Sequence, residues 1–206
     1  DQTWHEVFSP TILETSVPKK FVDIVNDISD DVLASDEKSE MWDWSHKLVG
    51  KVNKEILIPV KDKDRRLVGW ISRRINAYPK YMYSKGLKKS RLLFGACYLT
   101  NHPFICITEG SLDAMWLDQH GFGSVALLGA TMSKKQREML YNIPTQEFVI
   151  CLDNDTTGQR AMNKIFKELS NSFIVSYITL PDGIKDVQEV RNKKELCDII
   201  DKRNYW

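Results

Sequence analysis

Long apolar runs are missing from this 206-residue sequence. No window approaches the roughly 18 uninterrupted apolar residues of a membrane span, so no membrane partner is expected. The opening DQTWHEVFSP lacks the basic start and apolar core of a secretory signal. Cysteine is scarce: Cys97, Cys106, Cys151 and Cys197 show no C-x-x-C spacing, which argues against zinc in this chain. Three of the four sit in apolar runs, where a reduced thiol behaves as a small hydrophobe. These features together fit a cytoplasmic protein with reduced thiols. There is no internal repeat and no low-complexity tract, and the four histidines (His5, His46, His102, His120) are too scattered to suggest a catalytic role. Hydrophobic content of 42% and charged content of 28% are ordinary for a globular chain with ample length for a core.

The formal net charge of +1 hides a segregation. Residues 1–46 carry a net −8, residues 47–91 a net +11, and residues 92–206 a net −2. A basic block inside a near-neutral chain points to a polyanionic partner, because each neutralised phosphate releases condensed counterions. The competing reading is a solvated face paired in part with the acidic N-terminal block.

Residues 8–46 read as helical pieces broken at Ser29-Asp30-Asp31 and Ser35-Asp36. Ile56–Val60 and Leu67–Ile71, separated by a polar turn, predict a hairpin. Residues 79–95 carry Tyr, Lys and Arg without clear periodicity. Beyond them strands and helices alternate: strand 104–108, helix 111–120, strand 123–128, helix 133–141 with Ser133 as N-cap, strand 147–152, helix 157–169, strand 173–180 and helix 193–201. This alternation predicts an α/β fold, a mostly parallel sheet covered by helices.

In such sheets ligands collect beyond the carboxyl ends of the strands. Three of those ends carry acids: Thr108-Glu109-Gly110-Ser111-Leu112-Asp113, Asp153-Asn154-Asp155, and Pro181-Asp182-Gly183-Ile184-Lys185-Asp186. Converging carboxylates repel one another unless cations neutralise them. All-oxygen donor sets suit hard divalent ions such as Mg²⁺, whose remaining waters substrate phosphates can replace. Each acid taken singly also reads as a helix cap or a solvating loop residue. Capping is a strong rival for Asp155, which precedes a helix.

E-G-x-x-D at Glu109–Asp113 and D-x-D at Asp153–Asp155 resemble the TOPRIM domain shared by bacterial-type primases, topoisomerases, and some nucleases and recombination proteins. The resemblance implies that Glu109 acts as a general acid or base, or binds metal. It also implies that Asp153 and Asp155 hold two or more Mg²⁺ or Mn²⁺ ions, with Gly110 and Asp113 completing the first motif. Three further segments resemble the primase branch: Leu128-Gly129-Ala130-Thr131-Met132-Ser133 with Gln136, Asp153 through Gly158, and Leu180 through Asp186. The last carries one extra residue after its glycine. Asp186 is its first acid, Gln188 replaces the second, and Glu189 stands beside it as a substitute. Upstream, Leu57–Val60 through Trp70, Arg73 or Arg74, Pro79-Lys80-Tyr81 with Ser84, and Lys89–Gly95 are similar to the primase subdomain that precedes TOPRIM.

The resemblance therefore implies a TOPRIM catalytic domain at 99–206 preceded by a smaller basic mixed α/β subdomain at 1–98. The implied activity is template-directed synthesis of short RNA primers on single-stranded DNA from ribonucleoside triphosphates. Arg73, Arg74, Lys80, Tyr81, Lys89 and Arg91 would hold template or triphosphate. Tyr78, Tyr81 and Tyr83 could stack on bases or simply pack under a loop, and Trp42, Trp44 and Trp70 read as core. A zinc-binding module and a replicative helicase are expected elsewhere. The compact length suggests either a fragment or a phage or mobile-element protein acting in a bacterial host cytoplasm. A TOPRIM nuclease and a non-catalytic nucleic-acid-binding module are the rival readings.

Overall fold

The structure, a computed structural model, describes residues 55–74, 77–190 and 192–206. The helices expected over 8–46, together with Trp42 and Trp44, lie outside the described residues. The chain divides into two compact units between Leu87 and Lys88.

The described part of the first unit is an antiparallel meander of β1 (Glu55–Lys61), β2 (Leu67–Arg74) and β3 (Tyr81–Tyr83). The β1–β2 turn is tight because Asp62 accepts from the backbone N–H of both Asp64 (2.9 Å) and Arg66 (3.0 Å), a local carboxylate turn that suits a charged, exposed loop. Ile58, Val60, Leu67, Trp70 and Ile71 are buried, and Trp70 is a core residue as expected. β3 was not anticipated. Its three residues carry no apolar alternation, and it is specified by pairing with β2, Ile71 opposite Tyr83 and Arg73 opposite Tyr81.

The second unit is a five-stranded sheet in the order β5-β4-β6-β7-β8. Its parallel strands are β4 (Ile105–Thr108), β5 (Ser124–Ala126), β6 (Glu147–Cys151) and β7 (Ile174–Tyr177). The two-residue β8 (Asn204–Tyr205) pairs antiparallel to β7. Alternate residues enter opposite faces. Ile105, Ile107, Phe148 and Ile150 join one core, with Leu140 of α2 (Lys134–Tyr141) and Ala161, Ile165 and Leu169 of α3 (Thr156–Leu169). Cys106, Val149 and Cys151 join the other, with Leu117 of α1 (Ser111–Gln119) and Leu196 and Ile200 of α4 (Lys193–Asp201). A sheet buried on both faces explains the continuous apolar strands, as parallel sheets require. All four cysteines are free thiols, two of them in this core.

The α/β class is as expected, and the elements match closely. The strand expected over 173–180 is shorter: pairing with β6 ends near Tyr177, and the chain leaves the sheet toward Pro181. β8 was also unexpected. It is held by Arg203, whose Nε and Nη2 both bond Glu147 (2.6 and 3.0 Å), a forked pair that fixes geometry. The segment 88–98, read from sequence with the basic block, lies in this second unit, where Phe94 bridges Ala126. Among the described residues no helix is long and apolar enough to cross a membrane.

Candidate active site

From β4 the chain moves to β5 on one side, then crosses to β6 on the other, so β4 and β6 flank the point where strand order reverses. Ligands bind at the carboxyl ends of strands beside such a reversal. Thr108 and Cys151 are partners in register at those ends. Glu109 follows the first by one residue and Asp153 the second by two, so the topology itself brings the two acids together.

The loops that carry them are fixed by backbone bonds. Glu109 gives its carbonyl to the N–H of Gly129 (3.2 Å), which is how the glycine-bearing loop after β5 supports the first acid. Gly110 is the N-cap of α1, and Asp113 at the third helical position accepts from the Gly110 backbone. The E-G-x-x-D pattern is thus partly a helix start. Asp155 caps α3: its Oδ1 accepts from Thr157 N (2.9 Å) and Gly158 N (2.8 Å). Capping, the rival reading for this residue, is present in fact and does not remove the carboxylate from the cluster. Gly158 is required by close approach, since a Cβ there would stand 2.0 Å from the Asp153 carbonyl oxygen.

Asn154 donates its N–H to the Lys185 carbonyl (2.7 Å), and this bond draws the 181–189 loop to the end of β6. Asp186 then starts a short 3₁₀ turn, Val187–Glu189, by accepting from Gln188 N (3.1 Å) and Glu189 N (3.2 Å). Burial raises the Glu109 carboxyl above its ordinary value, and the charges of Asp153 and Asp155 push it further. Burial likewise raises Asp186, with Glu189 and Asp153 adding to the shift. Asp113 is pushed up to about 7, chiefly by burial, against the bond from Gln188, with Asp186 and Asp153 nearby. Asp153 thus acts electrostatically on Glu109, Asp113 and Asp186, and Asp155 on Glu109.

This donor set, all carboxylate oxygen and mutually repelling, suits a hard divalent cation completed by water or phosphate. Among the described residues no three His, Cys, Asp or Glu side chains stand close enough to enclose an ion as placed. Lys185, which the sequence reading did not single out, bonds Asp153 instead (Nζ to Oδ2, 3.3 Å). Gln188 is also accounted for: its amide donates to Asp113 Oδ1 at 2.8 Å. Glu189 accepts from the Lys185 backbone N–H through Oε2 (2.7 Å), and its charge acts on Asp186.

The basic candidates divide between the units. In the first, the Arg73 guanidinium lies over the Tyr81 ring at 4.8 Å, Arg74 bonds the Tyr78 carbonyl (3.2 Å), and Lys80 is exposed. Tyr78 is exposed and Tyr81 half-buried. Lys89 and Arg91 belong to the second unit with the acids. They form a 3₁₀ turn held by buried Gln136, whose Nε2 reaches the carbonyls of Leu127 (2.8 Å), Leu92 (2.9 Å) and Lys89 (3.2 Å). The sequence marks Gln136 beside the Leu128–Ser133 motif, but its hold on the Lys89–Leu92 segment depends on residues more than forty positions away.

A family model described as Toprim-like matches residues 106–191. The chain carries a Toprim-like domain. Its acids lie where the strand order predicts, and the motifs identified with the TOPRIM pattern fall within it. The DNA primase of Mycoplasma genitalium is 30% identical over 145 residues, covering 66% of this chain and 24% of that protein. The DNA primase of Aquifex aeolicus is 29% identical over 160 residues, covering 71% of this chain and 32% of that protein. A solved structure of the Aquifex aeolicus primase, its zinc-binding and RNA polymerase domains, superposes with a TM-score of 0.64 at 22% identity, covering 95% of this chain and 58% of that one. The chain spans about a quarter to a third of the length of the primases it matches in sequence, and in sequence and fold it resembles the TOPRIM-containing core of that family.

Proposed function

We propose that this chain is a primase catalytic core, making short RNA primers on single-stranded DNA by nucleotidyl transfer. What supports the reading most is the placement of Glu109 and Asp153 after the paired ends of β4 and β6, with Asp155 beside them and the loop of Asp186 joined to them through the Asn154–Lys185 bond. The similarity to DNA primases favours this chemistry over hydrolysis by a TOPRIM nuclease, and a non-catalytic binding module would have no need of the cluster.

In the proposed reaction a primer 3′-hydroxyl attacks the α-phosphorus of a ribonucleoside triphosphate. An O–P bond forms, the bond to the β-phosphate oxygen breaks, and pyrophosphate leaves. Asp153, Asp155 and Asp186 would hold Mg²⁺ or Mn²⁺, which supplies charge neutralisation for the phosphates when bound. Glu109 takes the hydroxyl proton or shares in the metal site. Lys89 and Arg91, and in the first unit Arg73, Arg74, Lys80 and Tyr81, bind template or triphosphate. We further propose that the 1–98 segment serves template binding and 99–206 the chemistry, and that a helicase and a zinc-binding module are partners in the bacterial cytoplasm.

The test uses single-stranded DNA, labelled ribonucleotides and Mg²⁺ or Mn²⁺ with the wild type, Glu109→Gln and Asp153→Asn. Short RNA products that vanish in both variants support the reading. Template degradation instead makes the protein a nuclease, and binding with neither product makes it a binding module.

A further inference from the structure

Lys185 lies in the loop after β7, and its backbone is pinned at both ends. Its carbonyl accepts from Asn154 N and its N–H donates to Glu189 Oε2, each at 2.7 Å. These two bonds fix the Cα, so the side chain reaches Asp153 and ends 3.3 Å from Oδ2. The Lys185 side chain is 60% exposed and that of Asp153 20%. An exposed lysine pair of this kind contributes little to stability and is readily exchanged. The carboxylate it covers also acts electrostatically on Glu109, Asp113 and Asp186.

We propose that Lys185 is a displaceable internal counterion: its ammonium neutralises Asp153 in the metal-free protein and competes with the divalent cation for the same oxygen. This rests on the metal-binding reading above. A tethered single charge offsets part of the repulsion among the acids, keeping the loops in place before metal arrives. Because the tether is flexible and hydrated, a divalent ion displaces it at small cost. Metal affinity is correspondingly weaker than the acids alone would give, and the freed ammonium remains beside the site. The other carboxylates near Lys185, Asp155 and Asp186, are then shared with the ion as well.

Mn²⁺ binding to the full chain, measured by calorimetry or by the free-ion paramagnetic resonance signal, tests this. Lys185→Gln is expected to bind Mn²⁺ about three- to fivefold more tightly than wild type, the scale of an exposed ion pair, and Lys185→Arg to bind as wild type does. In the unmutated protein, acetylation of Lys185 followed by mass spectrometry is expected to rise when Mg²⁺ is added, while that of Lys135 does not change. Equal or weaker Mn²⁺ binding by Lys185→Gln, with binding lost in Asp153→Asn, overturns the counterion and leaves the metal site standing. If Lys185→Arg binds as tightly as Lys185→Gln, charge is not the cause and the proposal falls. Wild type that binds no Mn²⁺ removes the metal-site reading and this one with it.

Discussion

Asp113 occupies the third position of α1, with 6% of its surface exposed. One oxygen accepts from Gln188 and the carboxyl also accepts from the Gly110 backbone. These bonds favour the charged form, but burial and the nearby Asp153 and Asp186 outweigh them, and the group is pushed up to about 7. An unfolded aspartate titrates near about 4. Between about pH 4 and about pH 7 the native protein therefore holds a proton that the unfolded chain has lost, and stability falls as pH rises through that window. Glu109 and Asp186, also raised, add to the same sign. Denaturation midpoints measured in chelator should decline over this range and level off above it. Asp113→Asn, neutral throughout, should flatten the part of the decline that reaches pH 7, at the cost of one of the two bonds the carboxylate accepts. An unchanged slope in the variant would show that Asp113 is ionised in the native state across the range.

At the level of elements, Gln136 joins more of the second unit than any acid does. It completes a capping box with Ser133 at the start of α2, and its amide also holds the loop after β5 and the Lys89–Leu92 segment. Gln136→Ala would leave buried carbonyls without a donor and Ser133 N without its acceptor, a loss of about 2–4 kcal/mol. Chemical denaturation reads this directly, and a loss under about 1 kcal/mol would mean water replaces the amide. Such a node illustrates what the sequence could not show. The helices and the strands β4 to β7 were legible because their apolar periodicity and caps are local. The acids were legible because parallel topology alone places strand ends together. β3 and β8 were not, because exposed residues such as Met82 and Tyr205 carry no pattern and only their partners define them. The contacts of Lys185, Gln188 and Gln136 likewise depend on how distant loops meet.

At the scale of the whole molecule, the +11 charge of residues 47–91 spans both compact units, since Lys89 and Arg91 fold with the acids. If these residues meet template phosphates, affinity for single-stranded DNA must depend on salt, with log K falling against log salt by about 0.7 per phosphate neutralised. Exposed Arg91 and half-buried Lys89, carried on a turn anchored by Gln136, should each account for one such contact. The Lys89→Ala, Arg91→Ala double variant is then expected to reduce the slope by about 1.4, and an Arg73→Ala, Lys80→Ala double variant by a similar amount. Glu109→Gln, which touches no phosphate in this scheme, should leave the slope near wild type. Fluorescence anisotropy over a salt series in chelator measures all four proteins under one condition. A wild-type slope retained by Lys89→Ala, Arg91→Ala alone would confine template binding to the first unit. A slope retained by both double variants would mean that the basic block is a solvated face rather than a nucleic-acid surface.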